Sequence, residues 1–93
     1  MTQLKYLSLS NNFLEVLPPS LIHCPALRHL LLDYNYLQTL PDHFDQLPML
    51  TYLDLGHNTL EQLPPTLKDH PNLSWLYLQD NPFQALPEFL LDL

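Results

Sequence analysis

The sequence predicts a solenoid of four stacked turns, each a short strand, a bend and a tight return, with the strands lying in one parallel sheet. Three observations predict it. The first is a repeat. Leu50, Leu53, Leu55 and Asn58 form the spacing L-x-x-L-x-L-x-x-N, and 23 residues earlier stand Leu27, Leu30, Leu32 and Asn35. The set recurs at Leu4, Leu7, Leu9 and Asn12, and at Leu73, Leu76, Leu78 and Asn81, without an insertion or deletion. The second is that the apolar period changes within each unit, from strict alternation to a wider spacing. The third is ten prolines against one glycine, most of the prolines at fixed repeat positions. No unit can bury its leucines alone, so the units must stack.

Each unit opens on its strand. Tyr6-Leu7-Ser8-Leu9-Ser10 and Tyr52-Leu53-Asp54-Leu55-Gly56 alternate apolar with polar or small residues, the period of a strand with one face buried. The bend carries the asparagine column Asn12, Asn35, Asn58 and Asn81. A tight bend leaves backbone groups inside the coil without ladder partners, and a stacked amide supplies both donors and acceptors for them. The return begins at Leu17-Pro18, Leu40-Pro41, Leu63-Pro64 and Leu86-Pro87, with Leu21, Phe44, Leu67 or Leu90 three residues beyond each proline. Proline suits the first turn of a helix, so a short helical or 3₁₀ turn is expected there. A second proline, at Pro25, Pro48 or Pro71, follows Cys24, Leu47 or His70 and leads into the next strand.

Length and charge bound what such a coil can do. Ninety-three residues make one small domain, 1–93, with repeats at 4–26, 27–49, 50–72 and 73–93. The formal charge is −7, with Lys5, Arg28 and Lys68 as the cations. That balance opposes nucleic-acid backbones and anionic membranes and suits a basic or neutral partner. Cys24 is the only cysteine, which excludes an intrachain disulfide and favours a reducing, cytoplasmic compartment. The N-terminus lacks a signal-peptide pattern and no stretch is long and apolar enough to span a bilayer. Asn72-Leu73-Ser74 matches the glycosylation sequon and is read as a chance match.

The full spacing L-x-x-L-x-L-x-x-N-x-L-x-x-L-P-x-x-L, repeated four times, resembles the leucine-rich repeat family. The 23-residue unit with Leu-Pro at its middle is similar to the intracellular type found in Ras-pathway scaffolds, polarity scaffolds and some bacterial effectors. The resemblance implies an α/β, right-handed solenoid with one curved parallel sheet on its concave side. Asn81-Pro82-Phe83 departs from the leucine pattern in the way last repeats of the family often do. No polar capping segment precedes Leu4 or follows Leu93. Two expectations follow: the chain is a segment of a longer solenoid, or its ends are covered by self-association.

In that fold the residues between the strand leucines point out from the concave face. One column is Tyr6, His29, Tyr52 and Trp75, and the next is Ser8, Leu31, Asp54 and Tyr77. Then come Ser10, Asp33, Gly56 and Gln79, flanked by Asn11, Tyr34, His57 and Asp80. Parallel strands lie about 4.8 Å apart, so the first column is expected to form a ladder of stacked rings, with Trp75 on Tyr52. Such a ladder stabilises a sheet through cross-strand pairs. It also makes a recognition surface, since Tyr and Trp dominate interface hot spots. The second reading is preferred because Tyr34 and Tyr77 enlarge the exposed aromatic patch.

Asp33, Asp54 and Asp80 lie toward the Trp75 side, with Lys5 and Arg28 near the other end. They are either solvated charges or a polarity that orients a partner's basic group. No metal or cofactor is expected, because His23, His29, His43, His57 and His70 fall in different columns without ligand spacing. Catalysis is not expected either. Asp54, His57 and Tyr77 have neither a nucleophile nor an oxyanion donor beside them, and Cys24 stands in a core column. The function expected is therefore non-catalytic binding of a protein or peptide on the concave face, in signalling, scaffolding or host–pathogen contact. Two alternatives stand beside it: a substrate-selecting segment of a larger kinase, phosphatase or ubiquitin ligase, and a spacer that assembles end to end.

Overall fold

The computed structural model describes residues 3–17, 21, 23–40, 47–63, 70 and 72–83. Four strands lie in one parallel sheet in chain order: β1 (Tyr6–Ser8), β2 (His29–Leu31), β3 (Tyr52–Asp54) and β4 (Trp75–Tyr77). Their register repeats the sequence columns. Tyr6, His29, Tyr52 and Trp75 are paired across the sheet, as are Leu7, Leu30, Leu53 and Leu76. Each strand is three residues long. Cross-turn hydrogen bonding runs further, from Arg28 N–H to the Lys5 carbonyl at 2.8 Å and from Leu32 N–H to the Asp54 carbonyl at 2.9 Å.

The alternating pattern sends the leucines to one side. Leu27, Leu30, Leu32, Leu50, Leu53, Leu55 and Leu60 are fully buried in the two central turns. Their counterparts Leu4, Leu7 and Leu9 in the first turn, and Leu73, Leu76 and Leu78 in the last, are only partly buried. A central turn is covered on both sides and an outer one on a single side, so burial follows position in the stack. Cys24 is buried in the same core. His70 shares its column and is buried there as well. Its Nδ1 accepts the Asn72 N–H at 3.4 Å, which puts the proton on Nε2, 2.8 Å from the Leu47 carbonyl. Both ring nitrogens are thereby satisfied, which lets an imidazole occupy a leucine position.

The asparagine column forms a ladder with a direction. Asn58 donates to the Leu32 and Leu55 carbonyls at 3.0 Å, and its Oδ1 accepts the Leu37 N–H at 3.1 Å. Asn35 does the same with Leu9, Leu32 and Leu14, and Asn81 with Leu55, Leu78 and Leu60. Each amide reaches back to the preceding turn. Among the described residues Asn12 bonds within its own turn, at the Leu9 and Ser10 carbonyls.

The expected helical return can be followed only in part. Leu21 and His23 adopt 3₁₀ conformation, while Pro18, Pro41, Pro64 and Pro87, with Phe44, Leu67, Leu86 and Leu90, lie outside the described residues. Among the described residues no helix is long and apolar enough to cross a membrane.

Candidate functional site

The side of the sheet away from the leucine core carries the predicted columns. Tyr6 and His29 have ring centroids 5.9 Å apart, and His29 and Tyr52 5.6 Å, both pairs tilted. The expected continuation onto Trp75 does not occur. Tyr52 turns instead to Tyr77, one column over, at 5.4 Å and an interplanar angle of 49°. Register places Trp75 beside Tyr52 along the backbone, but a ring has two χ angles and settles where it finds most contact. Trp75 is left 58% exposed, outside any ring pair among the described residues. The Tyr52 phenol is held above its ordinary pKa of 10.0, first by partial burial and then by Tyr77, Asp54 and Asp33.

The carboxylates of this face are engaged within the chain. Asp33 accepts a hydrogen bond from the Ser10 hydroxyl, and Asp54 accepts the Gly56 N–H at 3.0 Å. Leu31, half-buried, lies between Ser8 and Asp54 in its column. A Cβ at Gly56 would stand 2.7 Å from Nε2 of Gln79, the far end of a flexible side chain on the neighbouring turn.

The flanking column has a backbone feature of its own. Asn11, Tyr34, His57 and Asp80 all have positive φ, between 56° and 60°. This left-handed conformation lets the chain bend directly before each ladder asparagine. Bonds to the next turn hold it, from Asn11, Tyr34 and His57 N–H to the Asp33, Gly56 and Gln79 carbonyls at 2.9–3.1 Å. Tyr34 stacks on His57 with centroids 4.1 Å apart and planes 9° from parallel. His57 in turn sets Nδ1 3.2 Å from Asp80 Oδ2.

A family model described as leucine rich repeat matches residues 2–60 and 39–83. The chain belongs to the leucine-rich repeat family. A solved leucine-rich repeat protein of Leptospira interrogans superimposes with a TM-score of 0.89 at 35% identity, covering 96% of this chain. The chain spans 23% of that protein's length. None of the curated proteins searched matches this chain. The architecture is the α/β leucine-rich repeat solenoid, right-handed, with its parallel sheet on the concave face. Leucine-rich repeats commonly serve protein interaction and are generally non-catalytic.

Within this solenoid the candidate residues divide into two groups. Tyr6, His29, Tyr52 and Tyr77 form a connected row of rings on the concave face, with Trp75 beside it. Tyr34 and His57 stack on one another instead, in the flanking column. Two further residues join them that the strand columns did not single out. Phe13 and Tyr36 stack with centroids 6.1 Å apart and planes 8° from parallel. Their signal was present in the sequence, as two aromatics in the column immediately after the ladder asparagine. Among the described residues no group of three His, Cys, Asp or Glu side chains is arranged to hold a metal ion.

Proposed function

We propose that the chain is a non-catalytic module whose concave face binds a protein or peptide segment, with Trp75 as the principal anchor. The observation that carries this reading is the exposed Trp75 ring at the end of the Tyr6, His29, Tyr52 and Tyr77 row. A large ring that is more than half exposed has surface available to a partner. Truncating such an anchor commonly costs about 2 kcal/mol of binding or more. Asp54 and Asp33 on the same face favour a segment that carries a basic group.

The test is selection of binding peptides from a displayed random library against the wild-type chain, followed by affinity measurement on variants. Peptides selected this way are expected to weaken by about thirtyfold or more with Trp75→Ala, the equivalent of ~2 kcal/mol. Thr39→Ala, an exposed change away from the sheet, is expected to leave them unchanged. Peptides that bind the Trp75→Ala chain as tightly as wild type place the binding surface elsewhere.

A further inference from the structure

The two parallel aromatic stacks open onto one space. Phe13 and Tyr36, Tyr34 and His57, with the ladder residues Asn12 and Asn35, line a cleft of ≈ 330 Å³ at the C-terminal edge of the sheet. Phe13 is 84% exposed, Tyr36 52% and Tyr34 51%. The cleft is thus an open slot walled by flat rings, distinct from the row on the concave face.

Three observations indicate what it takes. The left-handed position before the ladder holds Asn11 and Asp80 in the outer turns, and such short polar side chains tolerate that conformation. The two central turns place Tyr34 and His57 there instead; histidine is also a type that tolerates this conformation, whereas the bulky Tyr34 is strained in it. Both residues line the cleft. Charge points the same way. Asp33 directly precedes Tyr34, Glu15 lies two residues after Phe13, and Asp80 contacts His57. The cations Lys5 and Arg28 immediately precede β1 and β2, at the opposite ends of the strands. Among the described residues no lysine, arginine or carboxylate lines the slot itself, on a chain whose formal charge is −7. Flat aromatic faces on an acidic protein attract a cation, and a planar guanidinium stacks on them better than an ammonium does.

We propose that this edge cleft is a binding site for an arginine side chain of a partner peptide, stacked against the Phe13–Tyr36 and Tyr34–His57 walls. The site rests on the reading of the chain as a binding module and adds a second, charge-selective point of contact to the concave face.

The experiment titrates the full 93-residue chain with N-acetyl-arginine methylamide and follows the aromatic ring protons by NMR. The titration is run at about pH 8. The matched citrulline and lysine amides serve as neutral and ammonium controls. The arginine probe is expected to shift the Phe13, Tyr34, Tyr36 and His57 rings saturably, with a dissociation constant on the order of millimolar. Citrulline is expected to bind about tenfold more weakly, and lysine more weakly than arginine. Tyr36→Leu, an exposed position whose backbone bond to Leu14 is kept, should abolish the shifts while Trp75→Ala leaves them intact. Equal binding of citrulline or lysine, shifts that survive Tyr36→Leu, or no saturable shift at these rings overturns the proposal. Because Trp75→Ala reports on the concave face and Tyr36→Leu on the cleft, either reading can fail without the other.

Discussion

The ring of Tyr34 lies on the imidazole of His57 with centroids 4.1 Å apart, and both residues stand in left-handed backbone conformation. Stack and strain thus meet at Tyr34, since histidine is among the types that tolerate this conformation. The conformation costs an L-residue roughly 1–2 kcal/mol, less for asparagine and most for β-branched residues. Tyr34→Asn is expected to stay within about 1 kcal/mol of wild type, the relief of strain offsetting the lost stack. Tyr34→Val, with the same exposure, is expected to be about 1–2 kcal/mol less stable than Tyr34→Asn. Urea melts of both variants check this, and equal stabilities would remove the strain from the account.

The direction of the asparagine ladder predicts a ranking. Replacing Asn58 by leucine strands the Leu37 N–H, which has no other acceptor among the described residues. An orphaned buried donor costs about 1–3 kcal/mol. Asn81→Leu strands the Leu60 N–H in the same way, so a comparable loss is expected although Asn81 sits in the last turn. Asn12→Leu strands no N–H of a preceding turn and is expected to cost least. Position in the stack alone would rank Asn81 below Asn58, whereas the backward reach of each amide ranks the two alike. Denaturant midpoints for the three variants decide between the two orders.

Ring pairing predicts opposite roles for two neighbours in the β3–β4 register. Tyr52 touches the rings of His29 and Tyr77, while Trp75 is outside the ring pairs. Tyr52→Ala is expected to destabilise by about 1–2 kcal/mol, the worth of two ring contacts. Trp75→Ala is expected to move stability by only about 0.5 kcal/mol, as exposed substitutions do. Chemical denaturation distinguishes them. A collapse of the Trp75→Ala fold would make that ring structural.

Tyr52 also carries a pH signature. Its phenol is raised above 10.0 in the fold, so above that pH the folded state holds a proton that the unfolded chain releases. Stability from this source is complete below pH 10.0, and is lost as pH rises through the higher folded value. Tyr52→Phe removes the titrating group. Its stability is expected to fall less steeply than that of wild type above about pH 10, as measured by urea melts at stepped alkaline pH.

Leu7 and Leu76 are partly buried where Leu30 and Leu53 are fully buried. Outer turns with uncovered leucines and unpaired strand edges invite pairing with another copy. The 93-residue chain is expected to show a concentration-dependent dimer or larger species by sedimentation velocity. A Leu7→Lys variant should shift it toward monomer, if it keeps its melting transition. A wild-type chain that remains monomeric at high concentration argues against association through these turns.

How far the candidate site was legible differs from residue to residue. Tyr6, His29 and Tyr52 could be placed together from spacing, because parallel register carries a column straight across the sheet. Trp75 could be placed in that column but not given a ring partner, since the choice between Trp75 and Tyr77 depends on rotamers. Phe13 and Tyr36 follow the bend rather than the strand, where alternation no longer assigns a face. In the left-handed column Asn11, His57 and Asp80 are types that favour the conformation, but Tyr34 masks the pattern.

By itself the sequence determined the number of turns, the parallel order of the strands, their register and the identity of the core. All follow from one requirement, that leucines at a strict 23-residue interval be buried by stacking identical units. The tertiary structure alone decided which way each amide reaches, which rings pair, and that four aromatic residues from the bends converge on one cleft. Those outcomes depend on side-chain torsions and on the gaps between successive turns. A repeat interval constrains backbone position but leaves both of these free.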